Sequence, residues 1–331
     1  MSNVVKRAVG KGRSLLSGNV LQKVETLTAT QVALQSEQRA IAAKVVEINE
    51  RVANSGSIQL SPHEIVAKIF TGVKIYLDPH DISVVPHLAL DGIWEGDISN
   101  AWLSLVRPQD TVIDIGANFG YYGLLAAQRT EKKHSKVIFF EANPKLIPYI
   151  RKTLGVNWLN EQSVIENLAV SDKEGEVSLT VLKDFIGSSS LHSADYIDSY
   201  MHEKMYVETA ETVKVQATTI DAYAVAHDIK AVDLIKMDIE GLEEQAYKGM
   251  RKTIKASPEV TLFVEFTKDS YTSPQKFYEQ MVADFGHVYK ICPGGRLEKY
   301  GDTAYDQVIG TADDWVMPVF SKRADLASKQ G

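Results

Sequence analysis

One cysteine, Cys292, stands in 331 residues. That excludes a disulfide framework and any cysteine-rich zinc site, and it fits a reducing compartment. No apolar run approaches the roughly 20 residues that span a bilayer. No apolar stretch of signal-peptide type follows Lys6-Arg7, so the expected location is cytoplasmic. The chain has no G-x-x-x-x-G-K-[ST] for a nucleoside triphosphate and no G-x-G-x-x-G for a pyrophosphate. Nor has it an excess of basic charge: at a net −7, no nucleic-acid partner is expected along its length. What is present is an ordinary globular composition, 44% apolar and 24% charged, enough for one large or two modest domains. Its eight histidines, His87 and His192 among them, read as ordinary loop residues.

The first stretch carrying a pattern is basic. Lys6, Arg7, Lys11 and Arg13 precede the first acidic residue, Glu25. Residues 1–19 are expected to form a disordered basic tail; the alternative is weak attachment to an anionic membrane surface. From residue 20 to 53 the spacing changes. Val20, Val24, Leu27, Gln31, Leu34, Gln38, Ile41, Val45, Ile48 and Val52 keep a 4-3 repeat, apolar at eight of these ten positions. This predicts a coiled-coil helix that joins copies of the chain, dimer or trimer left open. Asn54-Ser-Gly-Ser57 reads as a linker over 54–60, ahead of one large domain over 61–320 and a tail over 321–331.

Within that domain short β-branched runs alternate with helical stretches. Strands are expected at 74–78, 112–115, 137–140, 164–170, 177–182, 212–215, 234–237 and 260–266. Helices are expected at 98–106, 144–154, 220–226, 243–254 and 274–285, with a polar loop over 184–211 and a hairpin over 287–300. Such alternation predicts an α/β fold, a doubly wound, Rossmann-like parallel sheet covered on both faces. Its organising stretch is Val112-Ile-Asp-Ile-Gly-Ala-Asn-Phe-Gly-Tyr-Tyr-Gly123: strand, glycine-rich turn, then helix. That arrangement sets backbone N–H groups and a helix N-terminus against a nucleotide-like ligand.

Strands buried on both faces should be apolar throughout, and these are until their last residues. Asp114, Glu141, Asp238 with Glu240, and Glu265 close four of them. Ligands of open α/β sheets bind at those carboxyl ends, so the four mark a crevice. On Leu234-Ile-Lys-Met-Asp-Ile-Glu-Gly241, side-chain alternation puts Lys236, Asp238 and Glu240 on one face. Lys236 by itself reads as a structural partner for Asp238; Asp238 and Glu240 are the active-site candidates. Glu141, one crossover after Asp114, is placed to accept from unphosphorylated ribose hydroxyls. This does not separate NAD from S-adenosylmethionine, but the missing pyrophosphate spacing favours the second. Asp114, two residues before Gly116, suits a ligand with an ammonium group, as a methionine moiety has.

Asp114-Ile-Gly-Ala-Asn-Phe-Gly120, Phe140-Glu-Ala-Asn-Pro144, Asn167-Leu-Ala-Val-Ser-Asp172 and Asp233-Leu-Ile-Lys-Met-Asp-Ile-Glu-Gly241 together resemble the FkbM family of S-adenosylmethionine-dependent methyltransferases, over about residues 70 to 310. The resemblance implies O-methylation of a sugar or related natural-product acceptor. It implies that Asp114, Gly116, Ala117, Asn118 and Gly120 wrap the methionine end of the cofactor. Glu141 would then hold the ribose, with Ala142, Asn143 and the Asn167–Ala169 segment near the adenine, and Asp238 would count among the cofactor-binding residues. The chain departs from the family at Ala142, where a proline is common, and at Leu242, where a small residue is. Asp238 or Glu240 is expected as general base. The alternative has Asp238, Glu240 and Glu265 holding Mg²⁺ against a chelating hydroxyl pair. Two other functions compete: a cofactor-binding scaffold without chemistry, and an NAD-dependent oxidoreductase.

Overall fold

A computed structural model describes residues 22–38, 56–133, 135–182, 210–310 and 315–326. The basic tail, the heptads beyond Gln38, His192 and the loop interior lie outside them. The chain divides into two units, Met1–Ala53 and Asn54–Gly331. Of the first, residues 22–38 form a helix, α1, on which Val24, Leu27 and Leu34 are exposed. Among the described residues no helix is long and apolar enough to cross a membrane.

The second unit begins with an antiparallel sheet, β1 (Gly56–Ser61), β2 (Glu64–Lys68) and β3 (Lys74–Leu77), in that order. The linker expected over 54–60 is therefore mostly strand. Ile58 and Leu60 alternate with polar neighbours, and β1 pairs with β2 along its length. Two helices follow, α2 (Val85–Leu90) and α3 (Gly96–Leu105). Next come β4 (Thr111–Ile115), α4 (Tyr121–Ala127), β5 (Lys136–Phe140), α5 (Ile147–Val156) and β6 (Ser163–Glu166). A small sheet, β7 (Ala169–Val170), β8 (Gly175–Leu182) and β9 (Ala210–Thr218), is ordered β7-β9-β8. The chain then runs through α6 (Ile220–Ala226), β10 (Leu234–Met237), α7 (Glu243–Lys248), α8 (Arg251–Ala256) and β11 (Thr261–Val264). It ends with α9 (Pro274–Phe285), β12 (His287–Cys292), β13 (Arg296–Lys299), α10 (Tyr305–Val308) and β14 (Val319–Ser321).

The main sheet has the order β13-β12-β14-β11-β10-β4-β5-β6. Its inner pairs, β11/β10, β10/β4, β4/β5 and β5/β6, are parallel, and β14 runs antiparallel to both neighbours. From β4 the chain moves outward through β5 to β6, then returns to β10 on the other side of β4. That reversal is the topological switch point at which doubly wound sheets bind ligands. Alternation divides the core between the two faces. Val112, Val137, Phe139 and Phe263 join one apolar cluster with α4; Ile113, Ile115, Ile138, Phe140 and Met237 join the other.

Three other expectations are corrected. The strand expected over 164–170 is two strands in different sheets, broken where Asn167 Nδ2 donates to the carbonyls of Glu141 and Ala142. The helix expected over 243–254 is also two, parted at Gly249. A Cβ on Gly249 would lie 2.1 Å from the Ser171 carbonyl oxygen, so the backbones meet there. The tail expected from 321 is packed: Ser321 closes β14, and Leu326 is buried.

At the N-terminal edge of the sheet, Arg107 binds three carboxylates. Its guanidinium lies 2.9 Å from Asp110, 3.1 Å from Asp233 and 2.8 Å from Glu259. These residues precede β4, β10 and β11, so one side chain gathers the starts of three neighbouring strands.

Candidate active site

The sequence of β4 and its turn dictates the centre of the site. Gly116 has φ +76°, a left-handed conformation that disfavours a Cβ, and a Cβ there would lie 1.9 Å from the Asp238 carbonyl oxygen. Glycine is thus required twice, and the turn lies directly on the end of β10. The N–H groups of Gly116 and Ala117 both donate to the Phe140 carbonyl, which ties the turn to β5. Gly120 caps α4 in the left-handed region without a side chain to offer. Asp114 substitutes for it: Oδ2 accepts from the Gly123 N–H, in the first turn of α4, at 2.7 Å.

Asp114 therefore faces its own helix. It is buried, and burial raises its carboxyl to about 6 despite Lys236 and the Gly123 bond. Lys236 on the neighbouring strand is in register with Asp114, and its charge pulls the Asp114 carboxyl down against burial. Glu141 is also turned inward. Its oxygens accept from the Asn118 and Asn143 N–H groups, each at 2.7 Å, and so join the turn to the end of β5. Asn167 secures that corner from the other side. Asn118 keeps φ +55°, and its buried Oδ1 has no hydrogen-bond partner among the described residues.

A cleft opens at the switch point. Gly116, Glu141, Ala142, Ala169, Asp238 and Glu240 line it. Phe140, Leu168, Leu179 and Leu242 add an apolar wall. Of the residues expected at the site, Asp114, Ala117, Asn118, Gly120, Asn143 and Asn167 stand beside this lining rather than in it. Asp238 is 2.8 Å from the buried ammonium of Lys236. Burial works to raise the Asp238 carboxyl, but the Lys236 charge and hydrogen bonds from Lys236 and Glu265 hold it below its usual range. Glu265 is driven the other way, far up, by burial and by Asp238, Glu240 and Glu243. The two carboxyls are thus pushed in opposite directions, Asp238 toward the charged form and Glu265 toward the protonated one. Glu240, exposed and at φ +56°, has already entered the turn. Glu243 braces that turn by accepting from the Ile239 N–H at 2.9 Å and from Tyr271 Oη at 2.7 Å. Among the described residues no three His, Cys, Asp or Glu side chains are arranged to hold a metal ion.

Sequence reasoning did not find Glu95, Tyr122 or Glu243. Glu243 had a usable signal, an acidic residue in the first turn of a helix. Glu95 had none, since it reaches the site only through tertiary packing.

Glu141 has a consequence for stability. Burial raises its carboxyl to about 7 even though two backbone N–H groups favour the charged form. A folded-state value above the unfolded 4.5 means that the native chain binds this proton more tightly. The stabilisation is complete below about pH 4.5 and is lost as pH rises through about 7. Asp114, at about 6, acts in the same direction. Melting temperature should thus fall between about pH 5 and about pH 8, and Glu141→Gln should reduce that slope whatever it does to the absolute value. An unchanged slope in calorimetric scans would clear Glu141 as its source.

The methyltransferase FkbM domain matches residues 114–300. A curated 2-O-methyltransferase, NoeI, of Sinorhizobium fredii strain NGR234 is 23% identical over 156 residues, 45% of this chain and 61% of that protein. The match thus spans less than two thirds of that relative. The solved FkbM methyltransferase of Methylobacillus flagellatus superposes with a TM-score of 0.38 at 14% identity, over 65% of this chain and 44% of that one. An S-adenosylmethionine-dependent O-methyltransferase of Thermotoga maritima superposes with a TM-score of 0.37 at 14% identity, over 79% and 78%.

Proposed function

Because the chain belongs to the methyltransferase FkbM family, we propose that it moves a methyl group from S-adenosylmethionine to a hydroxyl oxygen of a sugar or related natural-product acceptor. One observation carries this reading: at the switch point, Gly116 is pressed against Asp238, whose ionised carboxylate lines the same cleft. Support for oxygen as the methylated atom comes from the relative named a 2-O-methyltransferase.

The residues present fit the cofactor. The unpartnered, buried Asn118 Oδ1 is an acceptor that the methionine ammonium would satisfy. Each Glu141 oxygen accepts one backbone bond and keeps a lone pair for a ribose hydroxyl. Phe140, Leu168 and Leu179 form a wall suited to a flat adenine. When bound, S-adenosylmethionine supplies an electrophilic methyl on a sulfonium. The protein's part is to align the acceptor oxygen and to remove its proton. Asp238 takes that proton, favoured in its charged form by Lys236 and by the side chain of Glu265.

Titration calorimetry with S-adenosylmethionine, together with mass spectrometry of glycans from cells with and without the protein, tests the reading. Binding heat and a methylated sugar found only where the protein is present are expected; absence of binding would overturn it. The heptads over 20–53 are, on the same footing, a self-association element. Light scattering should report a lower oligomeric mass once residues 1–53 are deleted, and an unchanged mass would end that assignment.

A further inference from the structure

Behind the cleft lies a second cluster, centred on Lys236. This side chain is 1% exposed, and its ammonium sits 4.7 Å from the centre of the Tyr122 ring as well as 2.8 Å from Asp238. Burial alone would strip its proton; Asp238, Glu95 and Asp114 keep it charged. Glu95 comes from outside the span that matches the family, from the residue that precedes α3. It is held there at φ 46°, ψ 62°, a left-handed conformation costly for a residue with a Cβ. Tyr122 Oη donates to Glu95 Oε2 at 2.6 Å. The adjoining Tyr121 Oη lies 3.3 Å from the Trp94 N–H and 3.0 Å from Ser99 Oγ. Two tyrosines opening α4 thus fasten the turn that carries Glu95, and Tyr122 links Glu95 on its hydroxyl to the cation against its ring.

We propose that Glu95 is a positioning residue of the active site: it shares the Lys236 ammonium with Asp238 and so limits how tightly Lys236 holds the carboxylate that receives the acceptor's proton. The inference rests on Asp238 being that base. The groups that act on Asp238 are Lys236 from its own strand, Asp114 from β4, Glu95 before α3, Glu265 after β11 and Glu243 from α7, with Glu240 in the turn acting on Glu265. Lys236 is the cation among them. A carboxylate paired too strongly with a cation is a weak base, and proton transfer slows as basicity falls. Glu95 offsets that pairing, and its own carboxyl is raised by burial and by Asp238, against the pull of Lys236. The site is consequently incomplete without the segment ahead of residue 114.

Glu95→Gln isolates the charge, because the amide oxygen still accepts from Tyr122. It should lower kcat by about three- to tenfold while the Kd for S-adenosylmethionine stays within about twofold. Glu95→Asp, which keeps the charge, should recover most of kcat. In Lys236→Met the acid limb of the pH–rate profile should move up by on the order of one pH unit, and adding Glu95→Gln should bring it part of the way back. Wild-type kcat in Glu95→Gln, or an acid limb that the second substitution does not move, overturns the inference. If Lys236→Met does not fold, the Gln and Asp variants of Glu95 decide it. Full activity in Asp238→Asn would instead remove the base on which the inference rests, so the two failures are distinguishable.

Discussion

Asp238→Asn should cut turnover by about 10²–10⁴-fold and leave S-adenosylmethionine affinity within about twofold. Asparagine matches aspartate in size and keeps an oxygen to accept from Lys236 and Glu265, but it takes no proton at neutral pH. The Lys236 ammonium retains Asp114 and Glu95 as counter-charges, so the variant should fold. Melting temperature provides the control. A joint fall in affinity and turnover would place Asp238 against the cofactor rather than the acceptor. Glu240→Gln should cost far less, because Glu240 is exposed and stands in the turn rather than against the buried cation. If both variants keep full activity, the end of β10 does not carry the chemistry.

Gly116→Ala should lower the melting temperature by roughly 5 °C or more and weaken S-adenosylmethionine binding by at least about tenfold. The left-handed backbone costs a non-glycine residue about 1–2 kcal/mol. The steric term adds to it: a methyl 1.9 Å from the Asp238 carbonyl oxygen forces β4 and β10 apart at the point where the cleft is built. Differential scanning calorimetry and titration calorimetry measure the two effects. Gly155→Ala is the matched control. It lies inside α5, and a Cβ there meets nothing within 4 Å, so alanine should be neutral or stabilising. Equal losses in the two variants would mean that the close approach at Gly116 is not what matters.

Much of this architecture is written locally. Val112 to Gly123 specifies strand, turn and helix through apolar alternation and glycines at the positions where only glycine fits. The carboxylates ending β5, β10 and β11 stand out because neighbours within their own strands are apolar, and the structure gathers them at one edge. What local pattern does not encode is direction. Asp114 has the right residue type for a ligand contact, yet its carboxylate accepts from the Gly123 N–H, which lies beyond a turn of left-handed residues. Lys236 reads as a partner for Asp238, which it is, but its contact with Tyr122 and its coupling to Glu95 depend on how α4 and the turn before α3 pack over the sheet. Gly249 and Asn167 break a helix and a strand through contacts with distant backbone, Ser171 in one case and Glu141 with Ala142 in the other. Ile58 and Leu60 did carry a period-two signal, and the serines around them obscured it.

The Arg107 cluster gives each of three strands two ends with different duties. At one end a single guanidinium gathers β4, β10 and β11; at the other, the same strands deliver Asp114, Asp238 and Glu265. Variation at the Arg107 end should change how many molecules survive quality control in a cell, while each survivor works at the ordinary rate. Replacing the Asp238 carboxylate at the opposite end should do the reverse, leaving abundance steady and each molecule slow. Inherited differences at Arg107 and at Asp238 can therefore be told apart by comparing the amount of the protein with its specific activity.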